Sequence, residues 1–438
     1  DRATRVNEQG LVRPVEIVSD ELVQNGDFEE VGDELVQNGD FEEIGSELVT
    51  NGGFDTDSDW TLTQSAISEG SLQISTTDGS FSGARQFNTF TVGKNYLISL
   101  EISDIVGTVE VDVNSGSGYG QTFTSNGTHS FYLYATNTDI EVKRAFGAEQ
   151  IISATIDNIS VKEVGQNWTI GDAWNFNQEK VDYDGTLNGS LLRQYDALTV
   201  GESYKLNFDI SNNSGSYRIG GSFSNSSYTT YSDGNGNKTI YFEATSTDLS
   251  IGGSMSSGGD TFSIDNISVQ EVGQNWTFGD GWSVEDGKVQ YSDGAKFSQF
   301  KQQLNNNNTS TYKLSFDAIV NSGQFRIKFG SNNYDIISQS NSYIVYGVFN
   351  TNNTFITFED YDDVSSDFSL DNISVVEVTE ATDLPRLDWS GDCPVLLLEP
   401  QRTNKIEQSE NFSDATVWNT NSGSVSLESG YLAPDGTY

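Results

Sequence analysis

The sequence predicts an all-β protein of tandem β-sandwiches, and three observations carry that expectation. First, three segments close on nearly one phrase: Ile156-Asp-Asn-Ile-Ser-Val161, Ile264-Asp-Asn-Ile-Ser-Val269 and Leu370-Asp-Asn-Ile-Ser-Val375. Their aspartates, Asp157, Asp265 and Asp371, lie 108 and 106 residues apart, a domain-sized period that is too long for a solenoid repeat. Second, apolar residues alternate with polar ones inside each unit. Tyr96, Ile98, Leu100 and Ile102 form one such run, Tyr204, Leu206, Phe208 and Ile210 a second, and Tyr312, Leu314 and Phe316 a third. Period two marks a strand with one buried face. Third, Asp-Gly, Asn-Gly and Ser-Gly turn signals separate the runs, and no helix-period segment of about ten residues or more stands out.

Composition bounds the rest. The 438 residues suffice for about three domains. Aromatics make up 12%, too many for a disordered chain, so several modest cores are expected. With 64 acidic and 22 basic residues the net charge is −42. Such a field repels nucleic acid and anionic membranes, keeps the chain soluble and attracts cations. The single cysteine, Cys393, allows no intrachain disulfide. No apolar run is long enough for a membrane span, and no basic-then-apolar leader opens the chain. A chain that starts at Asp1, with Met255 its only methionine, reads as a piece of a longer polypeptide.

A second, shorter repeat precedes the first unit. Glu21-Leu-Val-Gln-Asn-Gly-Asp-Phe28 recurs at 34–41, and in altered form as Glu47-Leu-Val-Thr-Asn-Gly-Gly-Phe54, at a spacing of 13 residues both times. Only the third copy runs on into a complete unit. The first two read as domain openings without bodies, either a spacer or, the preferred reading, short ordered strands. Gly-Gln-Asn-Trp-Thr follows the first two closing phrases, at Gly165 and Gly273, and marks the joints. The expected boundaries are 47–164, 165–272 and 273–378 for the three beads. They are preceded by a flank at 1–20 and the two short repeats at 21–46. A second flank at 379–408 and the start of a further sandwich at 409–438 follow.

The opening Glu47-Leu-Val-Thr-Asn-Gly-Gly-Phe-Asp55, a tryptophan close behind it and the closing Ile-Asp-Asn-Ile-Ser-Val together resemble the carbohydrate-binding jelly-roll modules of the galactose-binding-like superfamily. The resemblance covers 47–164 best; beads two and three keep the closing strand and lack the opening. The flanks resemble something else. Ala3-Thr-Arg-Val-Asn-Glu-Gln-Gly-Leu11, Leu384-Pro-Arg-Leu-Asp-Trp389, Cys393-Pro-Val-Leu-Leu-Leu-Glu-Pro-Gln-Arg-Thr-Asn404 and Ser409-Glu-Asn-Phe-Ser413 are similar to a module of bacteriophage tail-fibre and other virion proteins. There the two parts are nearly contiguous, so the beads here read as an insertion. The resemblances imply tandem jelly rolls in an elongated, fibre-like array, commonly trimeric.

Catalysis is poorly supported. His129 is the only histidine, so one bead at most could hold a Ser-His-Asp triad. His and Cys clusters for zinc are absent, as is a phosphate loop. No two acids stand out as a glycosidase pair. The repeated aspartates are the sharper clue. Asp157 shares parity with Ile159 and Val161, Asp265 with Ile267 and Val269, and Asp371 with Ile373 and Val375. A core-facing carboxylate is costly unless paired, hydrogen-bonded or bound to metal. Two readings are open: a strand-end carboxylate accepting backbone N–H bonds, or a structural Ca²⁺ to which Asp55 would contribute in bead one.

Trp60, Trp174 and Trp282 occupy matching places early in each bead, either as core or as sugar-stacking rings. Tyr119, Tyr228 and Tyr334 fall in Gly/Ser/Asn-rich stretches after the third long strand. They suit ligand recognition or packing between neighbours. Arg218 and Arg326 alternate away from apolar neighbours and should face solvent or a groove, where bead one has Glu110.

The expectation is a non-enzymatic virion fibre or appendage segment that contacts host cell-surface polysaccharide or glycans through Tyr119, Tyr228, Tyr334, Arg218 and Arg326. Its partners would be other virion proteins and copies of itself, with no nucleic acid and no membrane insertion. A purely structural spacer or capsid decoration protein, and a secreted bacterial carbohydrate-binding array, are the alternatives.

Overall fold

In the computed structural model the chain is all-β. The structure describes residues 4–6, 12–14, 17–113, 120–147, 151–177, 179–220, 228–253, 259–306, 310–350, 353–361, 365–379, 386–390 and 393–397. Among these no helix is found, and none is long and apolar enough to cross a membrane.

Each bead is a sandwich of two antiparallel sheets. In bead one the larger sheet runs Gly127–Tyr134, Asn95–Val106, Ile152–Val164, Ser71–Thr76, Ser65–Ser68. The smaller runs Gln121–Phe123, Val109–Asp112, Ile140–Arg144, Gly83–Gln86, Thr61–Thr63. Beads two and three repeat this plan around the closing strands Phe262–Val272 and Asp367–Thr379. The predicted alternation is what fills the core: Tyr96, Ile98, Leu100 and Ile102 are all at most 2% exposed and meet Val109 and Val111 of the facing sheet.

Beads two and three do not lack an opening. The first two short repeats supply it from far upstream. Ile44–Glu47 pairs with the closing strand of bead one, Val31–Glu34 with that of bead two, and Ile17–Glu21 with that of bead three. The preferred reading of the repeats as ordered strands holds, but they are not openings without bodies. The pairing is nested: the first opening serves the last bead. Bead two is therefore made of 165–272 with 31–41, and bead three of 273–378 with 17–28. By internal contacts the chain divides into two compact units, 1–31 with 273–438, and 32–272. The first holds bead three and the flanks, the second beads one and two.

Every opening docks through the same contacts, and each residue of the phrase has a task. The chain first adds to the closing strand, with Leu22, Leu35 and Leu48 each donating a backbone bond of 3.0 Å to the carbonyls of Val375, Val269 and Val161. The glutamate then caps that strand. Glu21, Glu34 and Glu47 accept from the N–H groups of Val375, Val269 and Val161 at 2.7–2.8 Å, and from the hydroxyls of Ser374, Ser268 and Ser160. The glycine comes closest to the body. A Cβ at Gly26, Gly39 or Gly52 would stand 1.9–2.0 Å from the carbonyl oxygen of Ile373, Ile267 or Ile159, so no side chain fits there.

The phenylalanine anchors the phrase. Phe28, Phe41 and Phe54 are at most 2% exposed, and each packs on a tryptophan at 5.3–5.8 Å. Their φ angles of 53–54° are rare for so bulky a residue, and the buried ring holds them there. Burying one such ring is worth roughly 1.5–3 kcal/mol.

The structure also reassigns the tryptophans. The residues equivalent to Trp60 are Trp168 and Trp276, not Trp174 and Trp282. Trp60, Trp168 and Trp276 each donate the indole N–H to the opening, at the carbonyls of Asn51, Asn38 and Asn25 (3.0–3.1 Å). Trp174 and Trp282 lie deeper, edge-on to Phe262 and Phe368 in the body cores. The 108-residue period already leads from Trp60 to Trp168 and Trp276, whereas Trp174 lies 114 residues on, and the docked opening agrees with it.

The two flanks meet in the first unit. Thr4–Val6 pairs with Val12–Pro14, and Arg386–Ser390 with Cys393–Leu397. The strands Thr4–Val6 and Arg386–Ser390 are neighbours, although nearly the whole chain lies between them. The stretch 409–438 lies outside the described residues.

Candidate functional site

The repeated aspartates do not face the core. In each closing strand the next residue is left-handed, with φ near 51° at Asn158, Asn266 and Asn372. The ladder shifts register there. This bulge switches the side-chain parity. Ile156 and Ile159 both point inward, and Asp157 between them does not. Each aspartate accepts the N–H of the following asparagine at 2.7 Å.

Each also sits opposite a second acid: Glu101, Asp209 and Asp317 in the three beads. The asparagine amide bridges to that acid at 2.8–3.2 Å. Burial, and then repulsion from Asp209, Asp40 and Glu42, raises the Asp265 carboxyl above its ordinary value. Burial raises Asp371 too. Asp55 is exposed at the end of the opening. Among the described residues no group of three or more His, Cys, Asp or Glu side chains is placed to hold a metal.

The charged positions gather on the outward face of the smaller sheet. Alternation puts Val109 and Val111, Tyr217 and Ile219, and Phe325 and Ile327 into the cores. Glu110, Arg218 and Arg326 therefore point away from them, as predicted. They are nevertheless covered. Arg218 is 1% exposed and Glu110 also 1%, so free exposure to solvent is corrected for both. Cross-strand pairing sets Glu110 beside Lys143 and Arg326 beside Glu359, and Arg218 beside Thr230 and Gly252.

In bead one, Glu110 faces Lys143 and accepts from the N–H groups of Gly120 and Phe146 at 3.2 and 3.0 Å. Lys143 reaches Asp112 and Glu141, both at 2.8 Å. Burial would lower its pKa, but the two carboxylates outweigh it and hold it above its usual value. In bead three, Glu359 receives Arg326 and, at 3.1 Å, Lys328. Burial would raise the Glu359 carboxyl; hydrogen bonds from Arg326, Gln299 and Lys328 hold it below its ordinary range instead. In bead two, Arg218 donates to the carbonyl of Gly253 and lies 4.6 Å over the Tyr228 ring, and burial pushes its pKa down.

In each bead a ring stands at one end of a strand of the smaller sheet. Arg85 lies 4.9 Å over Phe87, and Arg193 lies 5.4 Å over Tyr195 at the equivalent position of bead two. In bead three Gln303 holds that position; there Lys296 lies 5.0 Å over Phe297, just before the strand Gln299–Gln303. The cation covers one ring face, yet Phe87, Tyr195 and Phe297 remain 53%, 53% and 49% exposed. Sequence reading missed these rings. The period of 108 residues between Arg85-Gln-Phe87 and Arg193-Gln-Tyr195 was the signal.

The predicted tyrosines fare differently. Tyr119 lies outside the described residues. Tyr228 is in the strand Tyr228–Tyr231, not a loop, and serves Arg218. Tyr334 is in the strand Asn332–Ile337; its hydroxyl bonds both N–H and C=O of Val348 and its ring lies edge-on to Phe329.

No family model and no curated protein matches the chain. Among solved structures, the tandem CBM22 domains of Xyn10C from Paenibacillus barcinonensis match at 13% identity and a TM-score of 0.19, covering 52% of this chain and 98% of theirs. A triple jelly-roll protein of an archaeal virus matches at 15% and 0.20, covering 73% and 90%. A structure of Sulfolobus turreted icosahedral virus matches at 14% and 0.19, covering 74% and 91%. Scores of this size carry no argument about ligand or assembly.

Proposed function

We propose that this chain is a non-catalytic glycan-binding segment of a virion appendage, and that the outward face of the smaller sheet is the binding platform of each bead. One observation carries the reading: in each bead a half-exposed ring with a cation over one face accompanies buried charged groups of the smaller sheet, the ring standing after the strand in beads one and two and before it in bead three. Aromatic rings stack on the apolar faces of sugars, and fixed charged and amide groups bond hydroxyls. The virion setting is supported by the flanking phrases 3–11 and 384–413, and the role there is attachment to host-surface glycans. Weak sites on successive beads become effective together through multivalency.

The test is a glycan array probed with the whole chain and with a Phe87→Ala, Tyr195→Ala, Phe297→Ala triple variant. Binding by the parent and loss of at least about tenfold in the variant is the expected result. A parent that binds no glycan, or a variant that binds equally well, sinks the reading and leaves a structural spacer. Presence of the chain on purified virions tests the setting separately.

A further inference from the structure

We infer that the grooves of beads two and three accept an opening segment from a second copy of this chain, so that copies join by exchanging strands. The argument starts from the docked segments. All three openings place Val, Asn, Gly and Phe at the same steps, and all three grooves meet them with the same groups. A glutamine adds to the contacts already described. The side-chain amide of Gln86 bonds both N–H and C=O of Thr50, at 2.9 and 2.7 Å. Gln194 does the same for Gln37, both at 3.0 Å, and Gln302 for Gln24, both at 2.8 Å. Nothing in these contacts distinguishes an opening of the same chain from that of another.

Only the tether does, and it differs greatly between beads. The tryptophan N–H finds its opening 9 residues away in bead one, 130 away in bead two and 251 away in bead three. While the intervening beads are still unfolded, preference for the chain's own strand comes from effective concentration, which falls as the connection lengthens. The openings are also removable. Glu29, Glu30 and Val31 after the first, and Glu42, Glu43 and Ile44 after the second, are exposed. Of the buried core of bead two, only Val36 and Phe41 belong to the opening, and the other five strands of the larger sheet pair with one another without it. A vacated groove then keeps its shape and presents an unpaired strand edge with an apolar slot. The segment with the matching sequence is the one this chain carries, so the partner is a second copy, joined by exchange of identical elements.

Cysteine trapping in the full chain, with Cys393→Ser, tests this. Glu21 and Val376 are Cα partners across the bead-three groove, within disulfide reach for an antiparallel pair. A chain with both Glu21→Cys and Val376→Cys should close within itself and run at its own 47.9 kDa. A mixture of the two single variants, differently tagged, should give a mixed dimer whose yield rises several-fold over a tenfold rise in concentration. The same mixture built on Glu47 and Lys162, partners in bead one, should give at least tenfold less. Absence of the mixed dimer where the double variant closes would overturn the inference. So would a double variant that fails to close, because the opening would then not lie in the groove.

Discussion

Beads one and two are finished by nearly the same eight-residue phrase, docked through the same contacts, yet one receives it from its own neighbourhood and the other across an entire folded bead. Phe54 and Phe41 are buried to the same degree, and Glu47 and Glu34 cap their closing strands at the same 2.8 Å. The difference is one of connection alone. It teaches that a jelly roll of this kind treats its first strand as a ligand. Recognition is local chemistry, and covalent continuity sets only how often the strand is present.

The comparison can be broken most strongly at the glycine. Gly39→Val should force the second opening off Ile267 and cost roughly 3–5 kcal/mol, the range for losing a buried phenylalanine. Hydrogen exchange should then accelerate in bead two and not in bead one; Gly52→Val should do the reverse. Uniform acceleration in both beads would show that the openings do not act bead by bead.

The glutamine gives a smaller break. Gln194→Leu should cost about 1–2 kcal/mol in bead two, since it leaves the N–H and C=O of Gln37 without those bonds, and Gln86→Leu should cost bead one the same. Equal losses measured by denaturant melts would sharpen the view that the two dockings are one interaction.

Order of folding separates the beads without any mutation. In pulsed exchange during refolding, the amides of Leu48 and Ile159 should be protected before those of Leu22 and Ile373, because closing the longer connection costs more entropy.

Acid acts on single groups. The Glu359 carboxyl is held low in the folded state, so its contribution to bead three is present above its ordinary value and lost as pH falls through the lowered one. Asp265 is raised, so its penalty on bead two is present at neutral pH and relieved as pH falls through the raised value. Glu359→Gln should destabilise at pH 7 and cease to matter in strong acid. Asp265→Asn should stabilise at pH 7 by under about 1 kcal/mol, because the group is only partly buried, and lose that gain in acid. Thermal melts in a series from pH 7 down into strong acid would read both. The smallest effect on stability belongs to the half-exposed rings: Phe87→Ala and Tyr195→Ala should stay within about 0.5 kcal/mol, as exposed positions do, while glycan binding falls.

Much of this was legible in the chain. The alternation at Tyr96–Ile102, Tyr204–Ile210 and Tyr312–Phe316 placed the central strands, because a half-buried strand leaves a period of two. The closing phrase fixed the number of beads. The same parity rule failed at Asp157, Asp265 and Asp371, since one left-handed asparagine reverses it and no period reveals a bulge. Three openings and three closings were both visible, but their pairing was not, because strand partners far apart in sequence leave no local trace. The binding face was half visible. Parity set the direction of Arg218 and Arg326, whereas their burial depends on cross-strand neighbours such as Gly252 and Glu359.

The nested pairing also sets a clock. Glu21 is made well before Ser374, the residue it bonds, which lies 353 residues further on. At the usual 5–20 residues per second of synthesis, the first opening waits roughly 20–70 s for its groove to exist. Through that time a short apolar strand with a buried-type phenylalanine is in the open while two other beads complete themselves beside it. On a polysome carrying several such chains, each waiting strand meets its neighbours' grooves as they emerge, and the crowding of translation itself becomes a setting in which copies can be joined before any one of them is finished.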